Sequence, residues 1–519
     1  MSRLFFHGHI DKIFKNLPIN LIEHATLLVC CIGSGIFSIR LIANKELWCD
    51  ELIMLITVRR PFAEGLLQLQ DYAAPLYQLL LRLFIFDDFP PEWVIRAPAF
   101  LFAMLSLLSV WWLAKILFNK RVATYTLALV ALNPVFITYS AEGRPYTLFL
   151  FFSVISFGTF YRFVHRGKFF DSLFYIISTG TLIYSHYYGF LVIFSQALYS
   201  LTAMLMNYNR KRAVRISLTF GILGLISLPS LWMAMRYLKA GVPGIVGWIN
   251  RPFFFDLIVP MQAIELLGDK IVGSLSIVAF IMAMLLGILS LNNKIYLLNV
   301  FPAKFHFNWA VNKAPLLLCV LWVINSLYLP IIISYFYRPI FYFRYAFPVM
   351  VPFSILLAIF ICKMRLASKF ILLLLVLIMI FSKTIFLYNF HNNDYSSLIN
   401  QLRHMNIDQS PVFVVDWAYC DNFINPETYG LRYYGYNSKN IFLLKLNYPY
   451  NLSIREPNNL SDFDHFYVVS FILLAEEVDR YLKGRGEPYT SVKFGSLQLY
   501  EIKRDDLWRD NTKDIDNFS

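Results

Sequence analysis

Apolar runs of membrane length recur along this chain, separated by short polar connections, and that recurrence leaves few folds open. A span needs roughly 20 apolar residues. About eleven stretches qualify, near 24–44, 96–117, 122–139, 147–163, 170–184, 189–206, 215–235, 271–291, 314–334, 346–362 and 370–388. Lipid offers no partners for backbone N–H and C=O groups, so such runs must close their hydrogen bonds internally as helices. Composition agrees: 58% of residues are hydrophobic and 15% charged, against roughly 25% charged in soluble proteins. The chain reads as a polytopic α-helical membrane protein.

The net charge of +13 invites comparison with nucleic-acid binders, but its pattern points elsewhere. Every second connection is basic and almost free of acid: Arg3, Lys12 and Lys15; Lys115, Lys120 and Arg121; Arg162, Arg166 and Lys168; Arg210, Lys211, Arg212 and Arg215; Lys294, Lys304 and Lys313; Lys363, Arg365 and Lys369. Basic connections stay in the cytoplasm. This places the N-terminus there, the alternate loops outside, and no nucleic acid among the partners. No cleavable signal peptide is evident; Phe5, Phe6, Ile10, Ile13 and Phe14 beside Lys12 and Lys15 read as an interfacial helix. The six cysteines (Cys30, Cys31, Cys49, Cys319, Cys362 and Cys420) have no zinc-like spacing and read as small hydrophobes.

From about residue 389 the character changes. Tyr395 to His404 and Leu474 to Leu482 read as helices, and Val412–Val415, Phe466–Val469 and Leu497–Ile502 as strands. The expected organisation is a transmembrane domain over 1–388, a small C-terminal α/β extracytoplasmic domain over 389–504, and a polar tail over 505–519.

Four connections on the outer face carry candidate chemistry. Loop 45–95 opens with Leu47-Trp48-Cys49-Asp50-Glu51, two adjacent carboxylates beside a span, where charge is costly and asks for a reason. Leu52, Ile53, Leu55 and Ile56, and later Leu76, Leu79, Leu80 and Leu83, predict two short amphipathic helices on the bilayer surface, flanking the acids together with Arg59, Arg60 and Arg82. Tyr139 to Tyr146 predicts a tight turn holding Glu142 and Arg144 at bilayer depth, as a structural ion pair or as part of a site mouth. Ser185-His186-Tyr187-Tyr188-Gly189 is a second tight turn, where His186 is either a satisfied interfacial residue or part of a site lining. Arg338 and Arg344, in Tyr337 to Tyr345, are anchors or phosphate ligands, a task that suits the guanidinium fork.

These loops together resemble the polyprenyl-phosphate-sugar-dependent glycosyltransferases of the membrane-embedded C-type fold. The nearest group holds bacterial relatives of protein O-mannosyltransferases and the lipid A aminoarabinose transferase, related to glycosyltransferase family 39. The matching features are Leu47–Glu51, Asp71 to Leu81 with Ala74-Pro75-Leu76-Tyr77, Arg96-Ala97-Pro98, Asn133-Pro134, Tyr139–Tyr146, His186–Gly189, Arg338-Pro339 and Arg344-Tyr345. They cover roughly residues 20–365. Many relatives have His-Pro-Pro where this chain has Ala73-Ala74-Pro75. No cofactor or metal is therefore assigned, and a divalent metal stays open.

The resemblance implies an inverting hexosyl or pentosyl transfer from a polyprenyl-phosphate-linked sugar to a hydroxyl acceptor on a glycolipid, lipopolysaccharide, polysaccharide or protein. Asp50 matches the loop acid and is the expected base, with Glu51 and Glu142 supporting. Arg144, Arg344 and Arg338 are the expected phosphate ligands, then Arg59, Arg60 and Arg96; Tyr77, Tyr146, His186, Tyr187 and Tyr345 complete the expected lining. A bacterial inner membrane with a periplasmic site is the expected setting. Asn451-Leu452-Ser453 and Asn459-Leu460-Ser461 match glycosylation acceptors, but such triplets arise often by chance. Two rivals stand: a flippase of lipid-linked sugars, whose charges should lie near mid-bilayer in repeated halves, and a non-catalytic glycan-assembly scaffold.

Overall fold

A computed structural model describes residues 19–61, 75–84, 90–206, 208–239, 251–253, 313–363, 395–404, 411–416, 431, 434, 441–446, 454–455, 465–471, 475–484, 488–494 and 497–503. The expected N-terminal interfacial helix, the spans near 271–291 and 370–388, and the polar tail lie outside the described residues, as do Ala73, Ala74 and Cys420. The chain divides into two compact units. One comprises Met1–Ile42, Tyr72–Arg236 and Ile249–Leu387; the other comprises Ala43–Asp71, Tyr237–Trp248 and Tyr388–Ser519. Residues 43–71, expected to belong with the spans, thus group with the C-terminal stretch.

The first unit is helical: α1 (Ile19–Asn44, whose last two residues fall in the second unit), α3 (Leu76–Phe84), α4 (Pro91–Leu117), α5 (Lys120–Ala131), α6 (Pro134–Ser140), α7 (Tyr146–Arg166), α8 (Phe169–Ser185), α9 (Gly189–Met206), α10 (Arg210–Lys239, ending in the second unit), α11 (Lys313–Val323), α12 (Leu329–Phe336) and α13 (Met350–Lys363). Helix α2 (Cys49–Arg59) belongs to the second unit. Among the described residues six helices are long and apolar enough to cross a membrane, or up to eight if each of two bent pairs is one span.

The segment expected as one span near 122–139 is broken. Asn133 caps α6 with its side-chain oxygen, which accepts from the Val135 and Phe136 amides at 2.8 and 3.3 Å. Pro134 follows at the first helical position and has no N–H to continue α5. The chain bends by 65° there. A π-helical turn, Ile324–Tyr328, joins α11 to α12 just before Pro330. The missing Pro330 N–H removes a helical bond, and the widened turn accommodates the gap.

Helix α7 lies deep in the first unit. Phe157 stacks on Trp322 with ring centroids 3.9 Å apart, and Phe163 stacks on Tyr175 at 5.4 Å. Gly158 leaves room for the Trp112 ring, which occupies the place a Cβ would take. Polar side chains tie the neighbours together: Tyr175 donates to Gln196 (2.7 Å), Gln196 donates to Ser156 (2.9 Å), and Ser156 meets Thr179 at 2.7 Å. In lipid such interhelical bonds are worth about 0.6–2 kcal/mol each. Large apolar side chains face outward instead, among them Phe169, Phe170, Leu225 and Trp232, as a lipid-facing surface requires. Helix α7 ends at Gly167, whose φ of 69° is left-handed, while Arg215 donates to the Gly167 carbonyl at 3.0 Å.

The second unit contains α14 (Tyr395–His404), β1 (Val412–Asp416), β2 (Ile441–Leu446), β3 (Ile454–Arg455), β4 (His465–Phe471), α15 (Ala475–Gly484), β5 (Tyr489–Phe494) and β6 (Leu497–Lys503). The sheet order is β3-β2-β1-β4-β6-β5. Strand β1 pairs parallel with β2 and β4, while β3, β5 and β6 pair antiparallel with their neighbours. Alternate residues Phe413, Val415, Phe466, Val468, Tyr500 and Ile502 form one core with Val478 and Leu482, which are four apart on α15. Val412, Val414, Tyr467, Val469 and Leu499 are buried too, as a sheet covered on both faces requires.

Candidate active site

In the first unit the tight turns come together at one end of the spans. Helix α6 stops at Ser140, and residues 141–145 turn into α7 at Tyr146. Gly143 sits directly on Ile95: an added Cβ would meet Ile95 Cγ1 at 2.9 Å and its carbonyl oxygen at 3.1 Å. Tyr77 donates to that carbonyl at 3.1 Å and is fully buried. One main-chain oxygen thus joins α3, α4 and the turn carrying Glu142 and Arg144. Arg96 is buried one residue on and donates to the Ile42 carbonyl at 3.2 Å, near the C-terminus of α1, where a cation is favourable. Both Tyr77 and Arg96 bear on main chain in these bonds.

His186 occupies the turn between α8 and α9. Its ring stacks on Phe149 at 4.7 Å and lies 6.4 Å from Tyr146 and 5.4 Å from Tyr345. Burial, then the Arg144 charge, pushes its pKa down to about 3, so the ring is neutral. Nδ1 accepts the Tyr188 amide at 3.1 Å, which puts the neutral ring's proton on Nε2 as a donor. Burial raises the Tyr187 hydroxyl as well, keeping it protonated.

The segment 337–345 is fastened beside these rings. Ser334 Oγ accepts the Ile340 and Phe341 amides at 2.9 and 2.7 Å, and Tyr188 donates to the Ile340 carbonyl at 2.8 Å. A 3-10 turn, Phe343–Val349, then presents Arg344 and Tyr345. The Arg344 guanidinium lies over the Tyr342 ring at 4.6 Å and donates to its hydroxyl at 3.3 Å. Tyr139 packs on Tyr146 at 4.8 Å and edge-on to Phe347 at 4.9 Å. Arg338 is half-buried, its amide bonded to the Ile333 carbonyl at 3.1 Å.

Glu142, Arg144, Tyr146, His186, Tyr187, Arg344 and Tyr345 therefore form one neighbourhood rich in rings, with two guanidinium groups and one buried carboxylate. Such a cluster offers cations to an anion, rings to apolar faces and neutral donors to hydroxyls. The opposite ends of α4 and α7 carry Lys115 and Arg166.

Asp50, Glu51, Arg59 and Arg60 stand in the second unit, on α2. Asp50 is half-buried in the first turn. Glu51 is fully buried, and its carboxylate accepts the Trp48 amide at 3.3 Å, reaching back to the helix cap. Acids in a first turn also favour the helix dipole. Arg59 and Arg60 close the other end, exposed and half-buried. Helix α2 was expected to lie on a surface by one face, but Leu52, Met54, Leu55, Ile56 and Val58 are buried nearly all round. Helix α3 turns Tyr77, Gln78 and Leu81 inward and leaves Leu83 exposed. Residues that the sequence reading did not single out also take part: Tyr139 and Tyr342, which it quoted only within longer stretches, and Ser334 here, and Glu46 with Tyr434 in the second unit. Among the described residues no three His, Cys, Asp or Glu side chains come together to hold a metal ion.

Residues 73–232 match the family model described as dolichyl-phosphate-mannose-protein mannosyltransferase. The structure is similar to ArnT from Cupriavidus metallidurans bound to undecaprenyl phosphate, with a TM-score of 0.52 and 12% identity over 93% of this chain and 97% of that one. It is also similar to the apo oligosaccharyltransferase of Archaeoglobus fulgidus, with a TM-score of 0.53 and 12% identity over 88% of this chain and 71% of that one. A third likeness is to the same oligosaccharyltransferase in complex with Zn and sulfate, with a TM-score of 0.52 and 14% identity over 90% and 72%. No curated protein matches in sequence. The resemblance read from the sequence is borne out: the chain has the fold of the C-type glycosyltransferases, and about a third of it matches a family model of that class.

Proposed function

We propose that this chain is a membrane glycosyltransferase that moves a sugar, with inversion, from a polyprenyl-phosphate donor to a hydroxyl acceptor at the outer face of the membrane. The observation that carries the reading is the cluster of Arg344, His186, Tyr146, Tyr342 and Tyr345 beside the turn that bears Arg144, at one end of the spans. The relatives contribute the lipid: one was crystallised with undecaprenyl phosphate. Acid-poor basic connections at the opposite helix ends support outward orientation of the site.

The chemistry needs little. The acceptor oxygen attacks the anomeric carbon, forming the new C–O bond as the bond to the phosphate oxygen breaks. The electron pair leaves with the polyprenyl phosphate, a good leaving group that needs no strong acid. The acceptor proton passes to a carboxylate, and Asp50 is the assigned base. Charge builds on the departing phosphate, and Arg144 and Arg344 are assigned to oppose it, with Arg338, Arg59 and Arg60 assigned in support. Glu142 is assigned to the sugar, where positive character develops, and Tyr146, His186, Tyr187 and Tyr345 to its faces and hydroxyls. Glu51 shapes the turn that presents Asp50. Tyr77 and Arg96 support the turn from behind.

The test is transfer from a radiolabelled polyprenyl-phosphate sugar by purified protein. Asp50→Asn should leave the protein folded in detergent and lower turnover by about 10²–10⁴-fold, the range a general base supplies. Near-normal turnover in that variant refutes the assignment of Asp50.

A further inference from the structure

Three successive residues ahead of Asp50 are each held by a polar bond, all within the second unit. The Glu46 carboxylate accepts the Tyr395 and Ser396 amides, the latter at 3.1 Å, and the Ser396 hydroxyl. The Leu47 amide donates to the Tyr434 hydroxyl at 2.8 Å, and Leu47 is fully buried. The Trp48 amide donates to Glu51 at 3.3 Å. Tyr395 and Ser396 open α14, so Glu46 fills two of the donor positions that a helix start leaves without intrahelical partners. A carboxylate is the acceptor that the positive end of a helix favours most. This is not a local cap, because Glu46 and Tyr395 are 349 residues apart. Tyr434 continues the fastening by stacking on Tyr395, with centroids 5.4 Å apart and planes 13° from parallel.

We propose that Glu46 is a positioning residue that locks the lead into α2, and with it Asp50, onto the start of α14; this rests on the reading of Asp50 as the base. Only Leu47 and Trp48 separate Glu46 from α2, and Asp50 is the second residue of that helix. Once residues 46–48 are fixed, the helix geometry carries the carboxylate with them. The C-terminal stretch thereby acquires a role in turnover without contributing a group to the reaction. Misplacing a catalytic group by about 1 Å costs up to about 10²-fold in rate.

The experiment compares wild type, Asp50→Asn, Glu46→Ala and Glu46→Gln as full-length protein in detergent. It measures kcat and KM for a radiolabelled polyprenyl-phosphate sugar, and hydrogen exchange at the amides of residues 47–52, 395 and 396. Glu46→Ala should lower kcat by about 10–100-fold, with KM for the donor changed by less than about twofold. Its amides at these positions should exchange faster. Glu46→Gln keeps the arm length and one acceptor oxygen, and should recover kcat to within about fivefold of wild type. An active wild type, an inactive Asp50→Asn and an unchanged Glu46→Ala overturn the Glu46 proposal alone. So does a loss confined to KM, or a wild type whose 395 and 396 amides exchange without protection. If Glu46→Ala does not fold, Glu46→Gln decides: a kcat lowered by about two- to fivefold with unchanged KM supports the proposal, and an unchanged kcat or a changed KM overturns it. A wild type that releases no polyprenyl phosphate overturns the transferase reading, and the Glu46 proposal with it.

Discussion

Replacing Gly143 by alanine adds one methyl group at the tightest point behind the proposed site. That methyl would stand 2.9 and 3.0 Å from two Ile95 side-chain carbons and 3.1 Å from the Ile95 carbonyl oxygen, where ordinary contacts begin near 3.4 Å. The side-chain carbons can rotate away, but the carbonyl cannot, because it belongs to α4 and receives the Tyr77 hydroxyl. The turn must therefore withdraw by a few tenths of an ångström, taking Glu142 and Arg144 with it. Overpacking of this kind costs about 1–3 kcal/mol of stability. A displacement of about 0.3 Å at these two charged groups costs about fourfold in rate, by scaling from about 10²-fold per ångström. Gly158→Ala is the control, since its methyl would collide with the Trp112 ring, away from the site. Purified variants are melted in detergent and assayed for sugar transfer at temperatures where each is folded. The expected result is that both melt lower and only Gly143→Ala loses kcat. Wild-type kcat in Gly143→Ala, or an equal loss in Gly158→Ala, would falsify the assignment of this turn to the site.

Arg344→Ala should weaken binding of polyprenyl phosphate by about tenfold or more, and lysine should restore only part of it, because the planar group over Tyr342 is what an ammonium lacks. Isothermal titration of the purified variants checks this, and unchanged affinity makes Arg344 an anchor only. His186, with a folded pKa near 3 set by burial and then Arg144, should stay neutral and add no inflection to the rate profile between about pH 5 and 8. The unfolded ring takes up its proton near pH 6.5, so the unfolded chain binds more protons between about 6.5 and 3. Stability from this group is therefore full above about pH 6.5 and declines as pH falls through that window; melting midpoints of wild type and His186→Asn should converge on acidification.

How much of this was legible depended on whether a residue's meaning was local. The charge rhythm of the connections could be read without a third dimension, and it put the turns at Glu142-Gly143-Arg144 and Ser185-His186-Tyr187 on a common face; in the structure the Tyr146 and His186 rings that flank them are 6.4 Å apart. The strands around Val412, Phe466 and Leu497 showed as short β-branched and aromatic runs. The break at Asn133-Pro134 was legible in principle, since a capping asparagine before a proline is a helix start; the surrounding hydrophobicity concealed it. Glu46 was not legible at all, because its partners stand 349 and 350 residues away.

A polar side chain beside a span answers to one of two demands. The first is to satisfy main-chain groups where lipid cannot. Tyr77 does so at Ile95, Tyr188 at Ile340, Ser334 at the 340–341 amides, and Arg96 at the end of α1. From sequence these look the same as binding residues: conspicuous, outward-end and polar. The second demand is chemistry, the role proposed above for Arg344 and His186. Arg344 lies over the Tyr342 ring and donates to its hydroxyl, and His186 packs between Phe149 and Tyr345 as well as accepting the Tyr188 amide. A substitution of the first kind should lower stability and rate together. A substitution of the second kind should lower rate or donor affinity in a protein that melts as before, so the contrast between Tyr77→Phe and Arg344→Ala tests the division itself.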